Sequence, residues 1–279
     1  ERRGLAAGSP MDLVLKVRKL VLQRDTIRQL PADMQEEWQK YLPSGEIDFD
    51  LWLTYNGTTW IPDLTVRLVN VAFSHHKFPY RVDQSTGSVT FSGGVLGLDI
   101  TGHARDAPLR ILRRIENPGP DLNGGAEVAG TNITIDDRLI FALPEKGREI
   151  VRKLGPSGLF DVSWKMWRKD AREPEPHKQL NLALKQCGIR YEKFAYPLAN
   201  ISGTIFMKDD YWSFRDLEGF NDTGFVTCKG ELVPVEEGVE EKGTQLALHF
   251  AATNVPLDAE LRDALKPESR KVWNDLKPQ

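Results

Sequence analysis

Asn132-Ile133-Thr134-Ile135-Asp136 and Asn254-Val255-Pro256-Leu257-Asp258 are related pentapeptides 122 residues apart. The match runs on without a gap through Leu139/Leu261, Ala142/Ala264, Leu143/Leu265, Arg148/Arg270, Ile150/Val272 and Leu154/Leu276. A third copy lies 113 residues ahead of the first: Leu22 falls on Ile135, Trp38 on Val151, Asp48 on Asp161, and Pro43-Ser44-Gly45 on Pro156-Ser157-Gly158. Between the copies, Lys77-Phe78-Pro79-Tyr80 matches Lys193-Phe194-Ala195-Tyr196 at a spacing of 116, which also sets Gly87 on Gly203 and Val89 on Ile205. Ordered blocks at nearly constant spacing indicate an internal repeat, and a repeat governs the fold reading before any local signal does.

The blocks divide the chain into the tail of a preceding repeat (1–44, strand plus helices), repeat unit 1 (45–157) and repeat unit 2 (158–279). Glu46 to Tyr55, Leu64 to Ser74, Gly87 to Ser92 and Leu96 to Ala104 read as strands, rich in β-branched and aromatic residues with apolar–polar alternation. Gly93-Gly94 reads as a hairpin turn, with Asp209-Asp210 in the corresponding place. Asn123-Gly124-Gly125 and Glu236-Glu237-Gly238 are further turn signals.

Each unit then ends in a helical pair. Asp136 and Asp258 suit N-caps, and Pro31 and Pro267 suit the first turn of the following helix. Met34, Trp38 and Tyr41 form one apolar stripe, repeated by Trp273 and Leu276. The expected fold is mainly β with short helices: two tandem repeated β-sheet units, each closed by a helical pair, with strands forming an extended curved sheet.

Composition narrows the function. Lys and Arg number 37 against 40 Asp and Glu, a formal net charge of -3, without the basic excess of a nucleic-acid binder. Two cysteines exclude a disulfide-rich scaffold and a four-cysteine zinc site. The chain starts at Glu1 and stops at Gln279 inside the repeat pattern, so it is expected to be a fragment of a longer protein, with any membrane anchor outside it.

Phe194-Ala195-Tyr196-Pro197-Leu198-Ala199-Asn200-Ile201-Ser202-Gly203-Thr204-Ile205 resembles a motif of the AsmA-like family of large bacterial envelope proteins, tyrosine-proline-leucine-x-asparagine-x-x-glycine before a strand. Phe78-Pro79-Tyr80-Arg81-Val82 leading to Gly87 is a weaker version, with Gln84 in place of the asparagine. Asp216-Leu217-Glu218-Gly219 and Asn254-Val255-Pro256-Leu257 also resemble the family. The resemblance implies a long curved sheet with an apolar inner face that crosses the periplasm and moves phospholipid between membranes. The helical pairs depart from the plain family pattern and would interrupt a continuous groove.

Several residues carry this reading. Val66 and Leu68, with Leu182 and Leu184 at a spacing of 116, are groove candidates, although their phase fits a closed core equally. Phe78, Tyr80, Gly87, Phe194, Tyr196, Pro197, Asn200 and Gly203 are repeat-motif positions of structural character. Arg110, Arg113 and Arg114 fit either contact with anionic headgroups or, as the plainer reading, an exposed strand face, and Glu236, Glu237, Glu240 and Glu241 are expected in a charged loop.

No constellation for catalysis stands out. His75 and His76, adjacent on an expected strand, point to opposite faces and cannot chelate together. His103, His177 and His249 are scattered. Cys187 and Cys228 fit either a disulfide of an oxidising compartment or two unpaired thiols. With the periplasmic envelope location that the resemblance implies, the expectation is a non-enzymatic envelope protein without a cofactor. Its expected partners are phospholipid and neighbouring repeats of the same longer chain, with no nucleic acid. The alternative is a structural or adhesive module that binds proteins through Trp52, Trp60, Trp164, Trp167 and Trp212.

Overall fold

Long runs of alternating residues broken by two-residue turns favour pairing between sequence neighbours, and several of the sheet's connections are turns of that length. The computed structural model describes residues 8–28, 32–117, 123–170, 172–234 and 243–276. Pro31, the Glu236–Glu241 run and the Met34 side chain lie outside the described residues.

In order, the elements are β1 (Met11–Leu22), α1 (Arg24–Ile27), α2 (Ala32–Tyr41), β2 (Ser44–Tyr55), β3 (Trp60–His75), β4 (Phe78–Ser92), β5 (Val95–Ala104), β6 (Ala107–Glu116) and β7 (Asn123–Thr134). There follow α3 (Asp137–Ala142), α4 (Glu145–Leu154), β8 (Ser157–Arg168), β9 (His177–Tyr191), β10 (Phe194–Lys208), β11 (Tyr211–Asn221), β12 (Gly224–Pro234), β13 (Thr244–Thr253), α5 (Ala259–Ala264) and α6 (Pro267–Leu276). The 13 strands form one sheet in sequence order, and every strand pair whose register is defined is antiparallel. The expected mainly β fold is found, with the strands in one open sheet. The chain clusters into two compact units, Glu1–Gly130 with Trp164–His177, and Thr131–Ser163 with Lys178–Gln279.

Two strand boundaries differ from expectation. β4 starts at Phe78 rather than Gly87, and Asn123-Gly124-Gly125 opens β7 instead of forming a turn. The reason is the same in both: a left-handed or glycine residue that signals a turn is here a bulge within a strand. Positive φ occurs at Lys19 (54°), Gln84 (52°), Asn132 (54°), Gln186 (49°), Asn200 (51°) and Asp216 (50°), all inside strands. Each extra residue switches the alternation. In β4, Tyr80 and Val82 before the bulge share a face with Ser85, Gly87 and Val89 after it. A Cβ at Gly102 on β5 would meet both Val82 and Ser85, so the two parities converge.

Side chains fix the bulges at two places. Asp48 Oδ1 accepts from the Lys19 amide at 2.8 Å. Asp161 Oδ1 accepts from the Asn132 amide at 2.8 Å and is paired with the Lys185 ammonium at 2.8 Å.

The helices form where the sequence caps them. Asp136 accepts from the Leu139 amide at 2.9 Å and Asp258 from the Leu261 amide at 2.9 Å. Arg148 donates to the Leu143 carbonyl at 3.0 Å and Arg270 to the Leu265 carbonyl at 3.0 Å, so each guanidinium ties a helix to the carbonyl that closes the helix before it. In the first unit Leu22, Val71, Val82, Ile100 and Ala104 are among the buried residues. In the second, Ile133, Phe160, Cys187, Tyr196 and Ile201 are buried, with Ala142 and Ala264 from the helices.

Gly87 (φ 125°) and Gly203 (φ 131°) sit where a Cβ would collide with the Asp99 and Asp216 carbonyls respectively. Replacing Gly203 by Ala is expected to destabilise the protein by about 2 kcal/mol or more through strain and collision, read as a lowered urea midpoint. Asp136→Ala, which removes one cap, is expected to cost about 1 kcal/mol in the same measurement.

Candidate functional site

Antiparallel register places opposite residues on the same face, so each unit's faces can be followed from strand to strand. In the first unit Leu51, Leu64, Phe91, Leu96 and Ile115 form one row across β2 to β6. The next row holds Phe49, Val66, Val89 and Leu98, and the row beyond it Ile47, Leu68, Gly87, Ile100 and Ile111. At about 4.8 Å per strand, these rows cross roughly 20 Å of sheet. Most of these side chains are half-buried, whereas Leu13 and Leu15 on β1 are exposed.

The second unit carries a similar face. Leu182 lies opposite Ile205, followed by Phe214, Gly230 and Leu248. Leu180, Met207, Trp212, Leu232 and Leu246 form the adjacent row, and Leu184 lies opposite Gly203. The four groove candidates Val66, Leu68, Leu182 and Leu184 are thus on apolar rows and half-buried.

The opposite face of the first unit is polar. Asp50, 4% exposed, is held by Arg18 at 2.6 Å and Arg67 at 2.8 Å. The Arg67 and Arg18 guanidiniums hold its carboxyl below the usual carboxylate range. Arg110 pairs with Asp99 at 3.0 Å and Arg114 with Glu116 at 3.5 Å. Trp52 also lies on this side, with the Lys16 ammonium 5.3 Å from its ring.

Arg113 departs from the expectation for the three arginines. It stands on the apolar face, opposite Leu98 on one side and Ala126 on the other. The signal was present in the phase of β6, because Leu109, Ile111, Arg113 and Ile115 share one parity. Its Nη1 donates to the Tyr41 hydroxyl at 3.3 Å, at the end of α2.

Phe78, Tyr80, Phe194 and Tyr196 lie at the starts of β4 and β10. The rings of Phe78 and Tyr80 lie 6.1 Å apart, and those of Phe194 and Tyr196 lie 6.0 Å apart. Both tyrosines are buried. Burial, with the carboxylates of Asp258, Glu260 and Asp222, pushes the Tyr196 hydroxyl up. The Pro197 carbonyl accepts from Asn221 Nδ2 at 2.8 Å, and the same nitrogen reaches Glu260 at 3.0 Å. Asn200 is the bulge residue. The motif therefore lies within β10 and not before a strand.

His75 ends β3, whereas His76 lies past it, so the two are not on opposite faces of one strand; their rings are 4.5 Å apart. Among the described residues no group of three or more His, Cys, Asp or Glu is arranged to hold a metal. Cys187 and Cys228 are free thiols. They lie on β9 and β12, three strand spacings apart or roughly 14 Å, too far to bridge. Burial pushes both thiols up, so neither is poised as a thiolate. Among the described residues no helix is long and apolar enough to cross a membrane. Comparison with family models, curated proteins and solved structures finds no match to this chain.

Because the Asp50 carboxyl is lowered in the folded state, its stabilisation is present above the unfolded value of about 3.9 and is lost as pH falls through the lower folded value. Asp50→Asn is therefore expected to lower the urea midpoint at pH 7, and the gap from the parent protein is expected to narrow as the pH is brought below the ordinary carboxylate range.

Proposed function

We propose that this chain is part of a non-enzymatic repeat protein of the bacterial envelope that binds or guides lipid along its apolar sheet face, in the manner of the AsmA-like family. The observation that carries this reading is the apolar rows of both units, half-buried rather than packed away. Contiguous exposed apolar surface marks an interaction site. Acyl chains laid on such a face leave water at a gain of about 0.8 kcal/mol per CH₂.

The repeat reading belongs to the same proposal. Six strands and a helical pair make one unit, 45–157 and then 158–279, after the leading 1–44. Paired observations support it: the bulge contacts Lys19–Asp48 and Asn132–Asp161, the caps Asp136 and Asp258, and the clamps Arg148 and Arg270. Such units stack by adding strands at an open edge, and the neighbouring repeats would cover β1 and β13.

A second reading, a structural module that binds protein, rests on exposed Val14, Trp52 and Ile61 on the polar side of the first unit. One measurement separates the two. The protein is purified without detergent, extracted with organic solvent and analysed by mass spectrometry beside a control of similar size. Stoichiometric phospholipid is the expected result, and the double variant Val66→Asp with Leu182→Asp is expected to lose most of it while keeping its circular dichroism. A blank from the parent protein would sink the lipid reading and favour the protein-binding module.

A further inference from the structure

We infer that Arg113 is the headgroup-binding residue of the apolar face in the first unit, taking the phosphate of a phospholipid whose chains lie on the neighbouring rows. The inference rests on the lipid reading above and assigns the charge that such a face selects.

The argument starts from where the charge stands. Arg113 is flanked along its row by Leu98 and Ala126, with Val89 next beyond Leu98. Arginines of the opposite face have carboxylates: Arg18 and Arg67 share Asp50, Arg110 has Asp99, and Arg114 has Glu116. Among the described residues no carboxylate lies within ion-pair distance of Arg113. A guanidinium has five N–H donors in a rigid fork. Here one of them meets a neutral acceptor, the Tyr41 hydroxyl at 3.3 Å, which is long for a strong bond.

A buried or half-buried charge without a counterion is unfavourable. The cation on the first unit has a chemical use if an anion completes it.

The geometry selects the class of anion. The fork matches two oxygens of a phosphate, and the Tyr41 hydroxyl, which accepts from Arg113, still has its own proton to donate to the same group. Leu98 and Val89 on one side and Ile111 and Ile115 along the strand offer apolar surface, so an anion with acyl chains fits the surroundings better than a free ion. Amphiphiles would then bind with the head fixed near the end of α2 and the chains along the rows.

The test uses the full chain and two probes with the same fluorescent acyl chain, phosphatidylglycerol and diacylglycerol. Binding of each is titrated for the parent, Arg113→Gln, Arg113→Lys and Arg110→Gln. Arg113→Gln is expected to weaken phosphatidylglycerol about tenfold and leave diacylglycerol unchanged. Arg113→Lys, which keeps the charge but not the fork, is expected to recover only part of the affinity, and Arg110→Gln, on the other face, to retain all of it. Unchanged phosphatidylglycerol affinity in Arg113→Gln overturns the inference while leaving the lipid reading intact. Equal loss of both probes also overturns it, since the residue then serves packing against Tyr41. Displacement of phosphatidylglycerol by millimolar inorganic phosphate would mean that a free anion is the ligand and overturns the lipid assignment. If the parent binds neither probe, the function proposed above fails with it.

Discussion

The apolar face depends on the left-handed residues inside the strands. A strand of 15 residues such as β4 would normally keep one alternation from end to end. Here the strands serve two environments, a small core beside the helices and a half-exposed face beyond it. One inserted residue at Gln84 or Asn200 lets Tyr80 or Tyr196 enter the core while Val89 or Ile205 stays on the face. Without the insertion, one of the two sets would turn to the polar side. The carboxylates of Asp48 and Asp161 hold the bulged amides of Lys19 and Asn132, so these switches are fixed in place by hydrogen bonds as well as by backbone preference.

This explains what was legible in the sequence and what was not. The caps at Asp136 and Asp258 were legible because an aspartate before an apolar helical stripe acts locally. The turns at Gly93-Gly94 and Asp209-Asp210 were legible for the same reason. The start of β4 was not, since a single period of two cannot be followed through a bulge, and Pro79 reads as a break. Asp48 and Asp161 were visible as a matched pair, but their task needs the register of two strands. Asp50 with Arg18 and Arg67 is hidden in the same way: the partners lie 32 and 17 residues away. Arg113 is the instructive miss, because local alternation within β6 already put it with Leu109, Ile111 and Ile115. Its neighbours Arg110 and Arg114 made the trio look like one charged face.

Burial is distributed unevenly, and that distribution matters for the site. Val71 and Ser85 are almost fully enclosed, while Val66, a few residues before Val71, is half-buried. The rows thus carry both enclosed residues such as Ile100 and Ile115 and half-buried ones such as Val66 and Leu68.

The strand order has a consequence for how the sheet comes apart. Each strand is bonded to the strand before and the strand after it in the chain, and the tight hairpins bring partners together over short loops. Contacts are consequently local in sequence, a property that favours rapid formation of structure. Drawing out one interior strand interrupts its two ladders and leaves the more distant ones closed. Load that pulls on such a strand would accordingly part its own hydrogen bonds one after another, as a zipper opens, while strands farther along the order stay paired.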